Sequence, residues 1–431
     1  MKKRKLIACI LLLSIFSIFI TSCSEQPKQP TEKTVLKVCV ESSQLDELKP
    51  VFNYYHDLYP DVVVQPILLP AKKEQRETEL KKIQTQIMAG TFADLYLLST
   101  GKPFNAEKPE QLFPNPNKMM YSGVFCDLNE FLEQDKDFQQ QDFLQPILDA
   151  GKANGKQMIF PLQYTQNILV VKDPSLAEAW NMETLAQLLT VLQQKPYSNI
   201  HHYFAFNLTS LLPELISYEQ EKVLITREEL EEHYRMLLNF IQLEGLTSTQ
   251  TENKPLESFD TFPNTVYFLT EENNSDMALR SIPTMNGPSS AYITIYGAIS
   301  AQSEYKQEAY QLLKIFFGKI AQANDSVKLT EEKNFQSFSI FFSDYPVRTD
   351  ISEQYKSTQF NDRTGVPDVV NQVQSLLSEE SKVSFFSNLD IALNQIAENR
   401  YFQMLRNFPS DEEIQQDVDK MMRLLEQAAM E

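Results

Sequence analysis

Early in the chain, strand-like and helix-like hydrophobic patterns alternate, and this alternation limits the fold more than any other feature of the sequence. Short apolar runs at 35–40, 61–69 and 94–98, the first two rich in β-branched residues, have the pattern of buried strands. Between them, residues 45–58 and 71–89 carry apolar side chains at the spacing of amphipathic helices. The order strand, helix, strand, helix, strand predicts an α/β unit with a mostly parallel sheet.

Polar side chains follow the first and third of these strands. Glu41 and Ser42 come after the first strand, and Ser99 and Thr100 come after the third. In open α/β sheets, ligands bind beyond the carboxyl ends of the strands. The sequence therefore predicts a binding site at this edge, with these four residues as candidate ligand contacts.

Charge and glycine content argue against two large classes of binding protein. The chain has 39 Lys and Arg against 58 Asp and Glu, a formal net charge of −19 that opposes a nucleic-acid backbone. It has ten glycines and no Gly-x-Gly, so it lacks the clustered glycines of phosphate-cradling loops. The four histidines are not at metal-ligand spacing, and no pattern of nucleophile and base occurs. We therefore expect no nucleic-acid partner, no metal, no cofactor and no enzyme activity.

The first 34 residues are predicted to serve export. Basic residues at 2–5 precede an apolar run at 6–20, which is too short to span a bilayer and is typical of a secretory signal. Ile20-Thr21-Ser22-Cys23 resembles the bacterial lipoprotein box, in which the cysteine thiol takes a diacylglycerol before cleavage. Residues 1–22 are then a signal peptide, and residues 23–34 comprise the lipidated Cys23 and a flexible, polar tether.

The lipoprotein prediction also sets a location. The leader carries four positive charges and no acids, so its loss takes the net charge from −19 to −23. The folded part would stand on a lipid anchor at the extracytoplasmic face of the cell membrane. The alternatives are an uncleaved anchor and an ordinary signal peptide with an incidental cysteine.

Two cysteines remain in the body of the chain, Cys39 and Cys126. Outside the cytoplasm they could form a disulfide. Because Cys39 lies in an apolar run, we favour two buried free thiols.

Seven short segments, in order along the chain, resemble the extracellular solute-binding proteins (family 1) of ABC importers, the group typified by maltodextrin-binding protein. They are residues 55–67 (YHDLYPDVVVQPI), 87–100 (IMAGTFADLYLLST), 154–161 (NGKQMIFP), 180–193 (WNMETLAQLLTVLQ), 282–290 (IPTMNGPSS), 295–318 (IYGAISAQSEYKQEAYQLLKIFFG) and 345–348 (YPVR). The chain departs from the family at 266–280, where a glycine-bearing motif is missing, and in having a single tryptophan, Trp180.

The resemblance implies a two-lobe α/β fold of the periplasmic-binding type, with discontinuous lobes joined by a hinge. The first lobe would combine residues 35–162 with 293–345, and the second would combine 163–292 with 346–431. The chain would cross between lobes near residues 162–165, 287–292 and 345–349. Such a hinge closes around a solute because each lobe supplies part of the binding free energy.

The resemblance also adds five candidate ligand contacts to the four at the strand ends, namely Gln163, Tyr164, Asn286, Tyr292 and Arg348. For each of the nine residues, a structural role at a turn or hinge is the alternative. Polar groups combined with aromatic rings suit sugars. We therefore expect a monomer that binds a carbohydrate and delivers it to the permease subunits of an ABC transporter.

Two other functions remain open at this point. The solute could be a peptide or a polyamine, since the excess of acid would suit a cation if it lines the cleft. A lipoprotein of this fold could also act in sensing or surface interaction without transport.

Overall fold

The computed structural model describes residues 33–100, 110–171, 184–193, 206–245, 256–259, 278–322, 344–351, 366–404 and 406–430. The strands in these ranges are β1 Thr34–Glu41, β2 Val62–Leu69, β3 Leu95–Ser99, β4 Lys152–Ala153, β5 Lys156–Gln157, β6 Phe160–Gln166, β7 Ile168–Val171, β8 Ile216–Ser217, β9 Lys222–Val223, β10 Leu256–Phe259, β11 Ala278–Ser281, β12 Pro283–Thr284, β13 Gly287–Ile299, β14 Tyr345–Pro346 and β15 Lys382–Phe385. The helices are α1 Leu45–Leu58, α2 Lys73–Met88, α3 Pro116–Met119, α4 Asn129–Gln134, α5 Gln145–Asp149, α6 Leu185–Gln193, α7 Leu208–Leu211, α8 Arg227–Gly245, α9 Lys306–Phe317, α10 Lys319–Gln322, α11 Val366–Ser375, α12 Asn388–Met404 and α13 Asp411–Met430.

The predicted alternation of strands and helices at the start of the chain is confirmed. Leu48, Val51, Phe52 and Tyr55 form the buried face of α1, at the spacing that the sequence shows. α2 ends just before Gly90, whose positive φ of 70° favours glycine.

An eight-stranded mixed sheet contains these first strands. Its main path runs β14, β6, β13, β3, β1, β2, and β12 and β15 also pair with β13. β1 is parallel to β2 and β3, as predicted. The sheet is less parallel than expected, because the long strand β13 runs antiparallel to both β3 and β6.

The buried apolar side chains of the described residues form two clusters. The first core lies around β1, β2, β3 and the N-terminal part of β6, with α1, α2 and α9 packed against them. The second core is mostly helical and is built from α7, α8, α12 and α13, together with β7. Two cores of this kind make two lobes, each with its own hydrophobic interior.

In the described ranges, three extended segments connect the two cores. β6 runs into β7, β11 and β12 lead into β13, and β15 lies parallel to β13 before α12 begins. Phe385 at the end of β15 belongs to the first core, whereas Leu393 and Ile396 of α12 belong to the second.

The third connection lies later in the chain than the sequence suggested. Residues 346–431 were expected in the second lobe, with a crossing near 345–349. Instead Val347, Ile351 and Val373 are buried in the first core. The hydrophobic pattern does not reveal to which lobe these residues belong, because α11 is an amphipathic helix that would suit either lobe.

Both cysteines of the described part are free thiols. Cys39 is buried in β1, where desolvation raises the pKa of its thiol, and Cys126 is half-buried. None of the described helices is long and apolar enough to cross a membrane. The predicted leader and tether, residues 1–34, lie almost entirely outside the described residues.

Candidate functional site

The carboxyl end of β1, the first predicted contact region, is occupied by a buried ion pair. The Arg76 guanidinium, from α2, donates to both carboxylate oxygens of Glu41 at 2.7 and 2.8 Å. The Arg76 side chain is 2% exposed and the Glu41 side chain 12%. This bidentate geometry engages both carboxylate oxygens, so Glu41 is placed to hold the fold together.

Arg76 joins three chain segments at this edge. Besides Glu41 at the end of β1, its guanidinium donates to the carbonyl of Pro70, just after β2, at 3.0 Å. It also donates to the carbonyl of Glu110, in the segment that follows β3. Four donations from one buried side chain fix the loops along the carboxyl edge of the sheet relative to one another.

The remaining strand-end residues lie close by on neighbouring strands. Ser42 begins a short 3-10 turn and is half-buried, as is Ser99, which pairs with Ile295 of β13. The Thr100 hydroxyl donates to the carbonyl of Ile293 at 2.6 Å, and its backbone N–H donates to the carbonyl of Thr294 at 2.8 Å. Thr100 therefore ties the end of β3 to β13.

Gln163 and Tyr164 lie on β6, directly across from β13. Gln163 pairs with Ile295 and Tyr164 with Ile293, so they lie on the opposite side of β13 from Ser99 and Thr100. Gln163 Oε1 and the Tyr164 hydroxyl are buried, and neither has a hydrogen-bond partner in the described part of the chain. Burial also raises the pKa of Tyr164, so its hydroxyl stays neutral.

Three further polar atoms on β6 and β13 are also buried without a described hydrogen-bond partner. Gln166 Oε1, the Ser289 hydroxyl and the Thr294 hydroxyl are buried and have no partner among the described residues. Thr294 lies where the pairing of β13 with β6 shifts register. The sequence does carry a signal for this region, since four polar residues, 163–166, interrupt an otherwise apolar strand pattern. Buried polar atoms without partners are candidate contacts for bound water or solute.

Tyr292, although it lies on β13, is already bonded. It is 1% exposed, its hydroxyl donates to the Thr209 hydroxyl at 3.1 Å, and its ring packs edge-on against Phe386. It therefore links β13 to α7 of the second lobe.

Arg348 is also engaged within the first lobe. Its guanidinium donates to Asp142 at 2.8 Å and to both carboxylate oxygens of Asp350 at 2.8 and 2.9 Å, and it lies 4.7 Å from the centre of the Phe143 ring. Burial alone would raise the pKa of Asp350, but hydrogen bonds from Arg348 and Lys319 outweigh it and lower that pKa. Such a network is typical of a structural arginine.

Asn286 lies apart from the other candidates. It is exposed in the turn between β12 and β13, next to His233 of α8. Burial lowers the pKa of His233, and Glu232, Glu229 and the Asn286 side chain offset this only in part.

A groove of about 400 Å³ lies between the lobes, alongside β15. Met120, Tyr121 and Lys152 line it from the first lobe, and Tyr218 and Asp390 line it from the second. Its charged lining is mostly acidic, with Asp149, Glu214, Glu219 and Asp390 against Lys152 and Lys382. A groove of this size suits a small solute.

Lys382, on β15, is half-buried and lines this groove. Its ammonium donates to the carbonyls of Thr209 and Leu212 at 2.8 and 3.3 Å. Desolvation lowers the pKa of Lys382, against the opposing effect of Asp390 and Glu214. Within the described ranges, no group of three His, Cys, Asp or Glu side chains is placed to hold a metal ion.

Comparison with solved structures identifies the architecture. An extracellular solute-binding protein family 1 from Alicyclobacillus acidocaldarius superposes with a TM-score of 0.56 at 13% identity, covering 93% of this chain and 99% of that one. The sugar-binding protein MalE from Xanthomonas citri gives 0.57 at 12% identity, covering 92% and 98%. A cyclic alpha-maltosyl-1,6-maltose binding protein from Arthrobacter globiformis gives 0.54 at 12% identity, covering 92% and 100%.

The chain therefore has the two-lobe fold of the extracellular solute-binding proteins, and this prediction is confirmed. No protein-family model matches the sequence, and no curated protein matches it. At such low identity the fold is retained while the residues of the site are free to differ, so these structures do not assign the contacts.

Proposed function

We propose that this protein is a lipid-anchored extracellular solute-binding protein that captures a carbohydrate between its lobes and delivers it to an ABC importer. The observation that carries the proposal is the pair of separate hydrophobic cores joined by three extended segments. Two bodies connected in this way can close around a solute. The similar structures that cover 92% of this chain include sugar-binding proteins, which supports a sugar as the solute.

The candidate contacts fall into two groups under this proposal. Glu41 and Arg348 shape the first lobe through their ion pairs. Gln163 and Tyr164, on the connecting strand β6, offer hydrogen-bonding atoms that no described residue uses. Sugar hydroxyls both donate and accept, so an amide oxygen and a phenol hydroxyl suit them.

A thermal-shift screen of the full chain tests the solute class. Maltodextrins and mannotriose should raise the melting temperature, because a ligand that binds only the folded state stabilises it by about 2.7 kcal/mol at a concentration 100 times its Kd. A response to dipeptides or spermidine, with none to any sugar, would contradict the carbohydrate proposal.

A cationic solute is the second candidate, and the acidic groove between the lobes favours it. Four carboxylates and two tyrosines line this groove, and carboxylates and aromatic faces both attract organic cations. The spermidine arm of the same screen tests it, and Glu214→Gln should then weaken the response.

The lipid anchor requires a separate test. Cys23→Ala should release the protein from the membrane fraction, because the proposed acceptor thiol is gone. Cys9→Ala, which changes the other leader cysteine, is the matched control and should leave the protein membrane-bound. Retention of the Cys23→Ala protein would indicate an uncleaved anchor.

A further inference from the structure

One short segment of the first lobe contacts the first core, the third connection and the second lobe. Residues 110–118, here called the bridging segment, are anchored in the first core by Leu112 and Phe113. The Phe113 ring meets Tyr96 and Phe125 edge-on, with ring centres 5.2 and 5.1 Å apart. Arg76 holds its first carbonyl, that of Glu110. This end of the segment therefore moves with the first lobe.

The same segment is bonded to the third connection between the lobes. Asn117 donates to the carbonyl of Phe385 at 2.9 Å and accepts from its N–H at 3.0 Å. Gln111 donates to the carbonyl of Phe386 at 3.0 Å, and the N–H of Asn388 donates to the carbonyl of Pro114 at 2.8 Å. These contacts lie at the crossing strands, where a rotation of one lobe displaces atoms least.

Two further contacts reach the body of the second lobe. Asn115 Nδ2 donates to the Tyr218 hydroxyl at 2.8 Å. The Lys118 ammonium lies 3.4 Å from the carbonyls of both Ala428 and Ala429, near the end of α13. Tyr218 and Ala428 both pack against the second core.

These distant contacts are the ones that a hinge motion must break. Displacement grows with distance from the rotation axis, and a hydrogen bond is largely lost once its atoms separate by about 1 Å more than the ideal distance. The cation of Lys118 also meets the carbonyl end of α13, where the helix dipole attracts positive charge.

We propose that the bridging segment is a strap that holds the lobes at the angle seen here, through Tyr218 and Lys118. Release of these two contacts permits the lobes to rotate about the crossing strands. The inference rests on the two-lobe fold, and it does not depend on which solute is bound.

The test measures the distance between the lobes without any solute. Donor and acceptor dyes are attached through unnatural amino acids at Lys136 and Lys420, which are exposed on the first and second lobes, so all cysteines stay in place. In the full chain, Tyr218→Phe with Lys118→Met should change the ratio of the lobe arrangements by about fivefold or more, the factor that a contact of ordinary net strength supplies.

Matched controls come from the lining of the groove between the lobes. Tyr121→Phe and Lys152→Met alter a tyrosine and a lysine of that lining, and Lys152 pairs with Asp149, in its own lobe, at 2.6 Å. Both controls should reproduce the wild-type distance distribution, and the melting curves of all variants establish that they fold. An unchanged distribution in the Tyr218→Phe, Lys118→Met protein, or an equal change in the controls, would overturn the strap.

Discussion

The carboxyl edge of the sheet and the paired strands β6 and β13 both carry buried polar residues, but they use them differently. At the edge, Glu41 and Thr100 have protein partners at 2.6 to 2.8 Å. On the paired strands, the Tyr164 and Thr294 hydroxyls have none among the described residues. The difference shows that a polar residue at a strand end can already be bonded within the protein. We expect free hydrogen-bonding capacity to be the better indicator of a ligand contact, because a group that is already bonded must lose that bond to receive a solute.

The largest expected effect on stability concerns the ion pair between Arg76 and Glu41 at the edge of the sheet. Arg76→Met should reduce the free energy of unfolding by about 3–5 kcal/mol, because it leaves the Glu41 carboxylate unpaired in a nearly buried site. Urea denaturation measures this loss.

The control is an ion pair of similar length on the surface. Arg227 donates to Asp419 at 2.7 Å, but the two side chains are 37% and 52% exposed. Arg227→Met should therefore cost no more than about 1 kcal/mol. Equal losses in the two variants would mean that the Glu41 pair is as weak as a surface pair, and Glu41 would then be available to a solute.

Two buried tyrosines on β6 and β13 allow a bonded hydroxyl to be compared with one that has no described partner. The Tyr292 hydroxyl is bonded to Thr209, so Tyr292→Phe should reduce stability by about 1 kcal/mol. Tyr164→Phe removes a hydroxyl without a described partner, and stability should stay within about 0.5 kcal/mol of wild type.

The same pair of variants separates a solute contact from a structural one. If the sugar proposal is correct, Tyr164→Phe should weaken solute binding about tenfold, the effect of about 1.4 kcal/mol in binding free energy. Isothermal titration with the sugar found in the screen measures it, and Tyr292→Phe is the control with unchanged affinity. Unchanged affinity in Tyr164→Phe would assign its hydroxyl to a buried water.

The fold could be predicted well where it depends on local pattern. The strand and helix at 34–58 follow from periodicity, since the side chains of Val38, Leu48 and Phe52 that form the pattern are those that become buried. Residues 410–413, Ser-Asp-Glu-Glu, also have the local pattern of a capping box, and Glu413 accepts from the N–H and hydroxyl of Ser410 at 2.8 and 2.9 Å.

The site could be predicted less well because it depends on distant partners. Glu41 meets Arg76, 35 residues away, and Tyr292 meets Thr209, 83 residues away. Nothing near Tyr164 or Tyr292 in the sequence distinguishes a free hydroxyl from a bonded one. The position of the third connection was not predicted for the same reason, since only packing against distant residues decides to which lobe α11 belongs.

The smallest expected effect on stability concerns Thr100 and Thr294, which are joined by a backbone hydrogen bond. The N–H of Thr100 donates to the carbonyl of Thr294, so the two residues share one environment, yet only the Thr100 hydroxyl has a bond to a backbone carbonyl, that of Ile293. Thr100→Val should cost about 1 kcal/mol, because it leaves that carbonyl with one hydrogen bond fewer. Thr294→Val replaces a desolvated hydroxyl by a methyl group of the same shape, and stability should be unchanged or slightly higher. Thermal denaturation of the two variants side by side measures the difference. A loss in Thr294→Val equal to that in Thr100→Val would show that the hydroxyl on β13 is bonded after all, and the contrast between the two regions would then be confined to Tyr164 and the glutamines of β6.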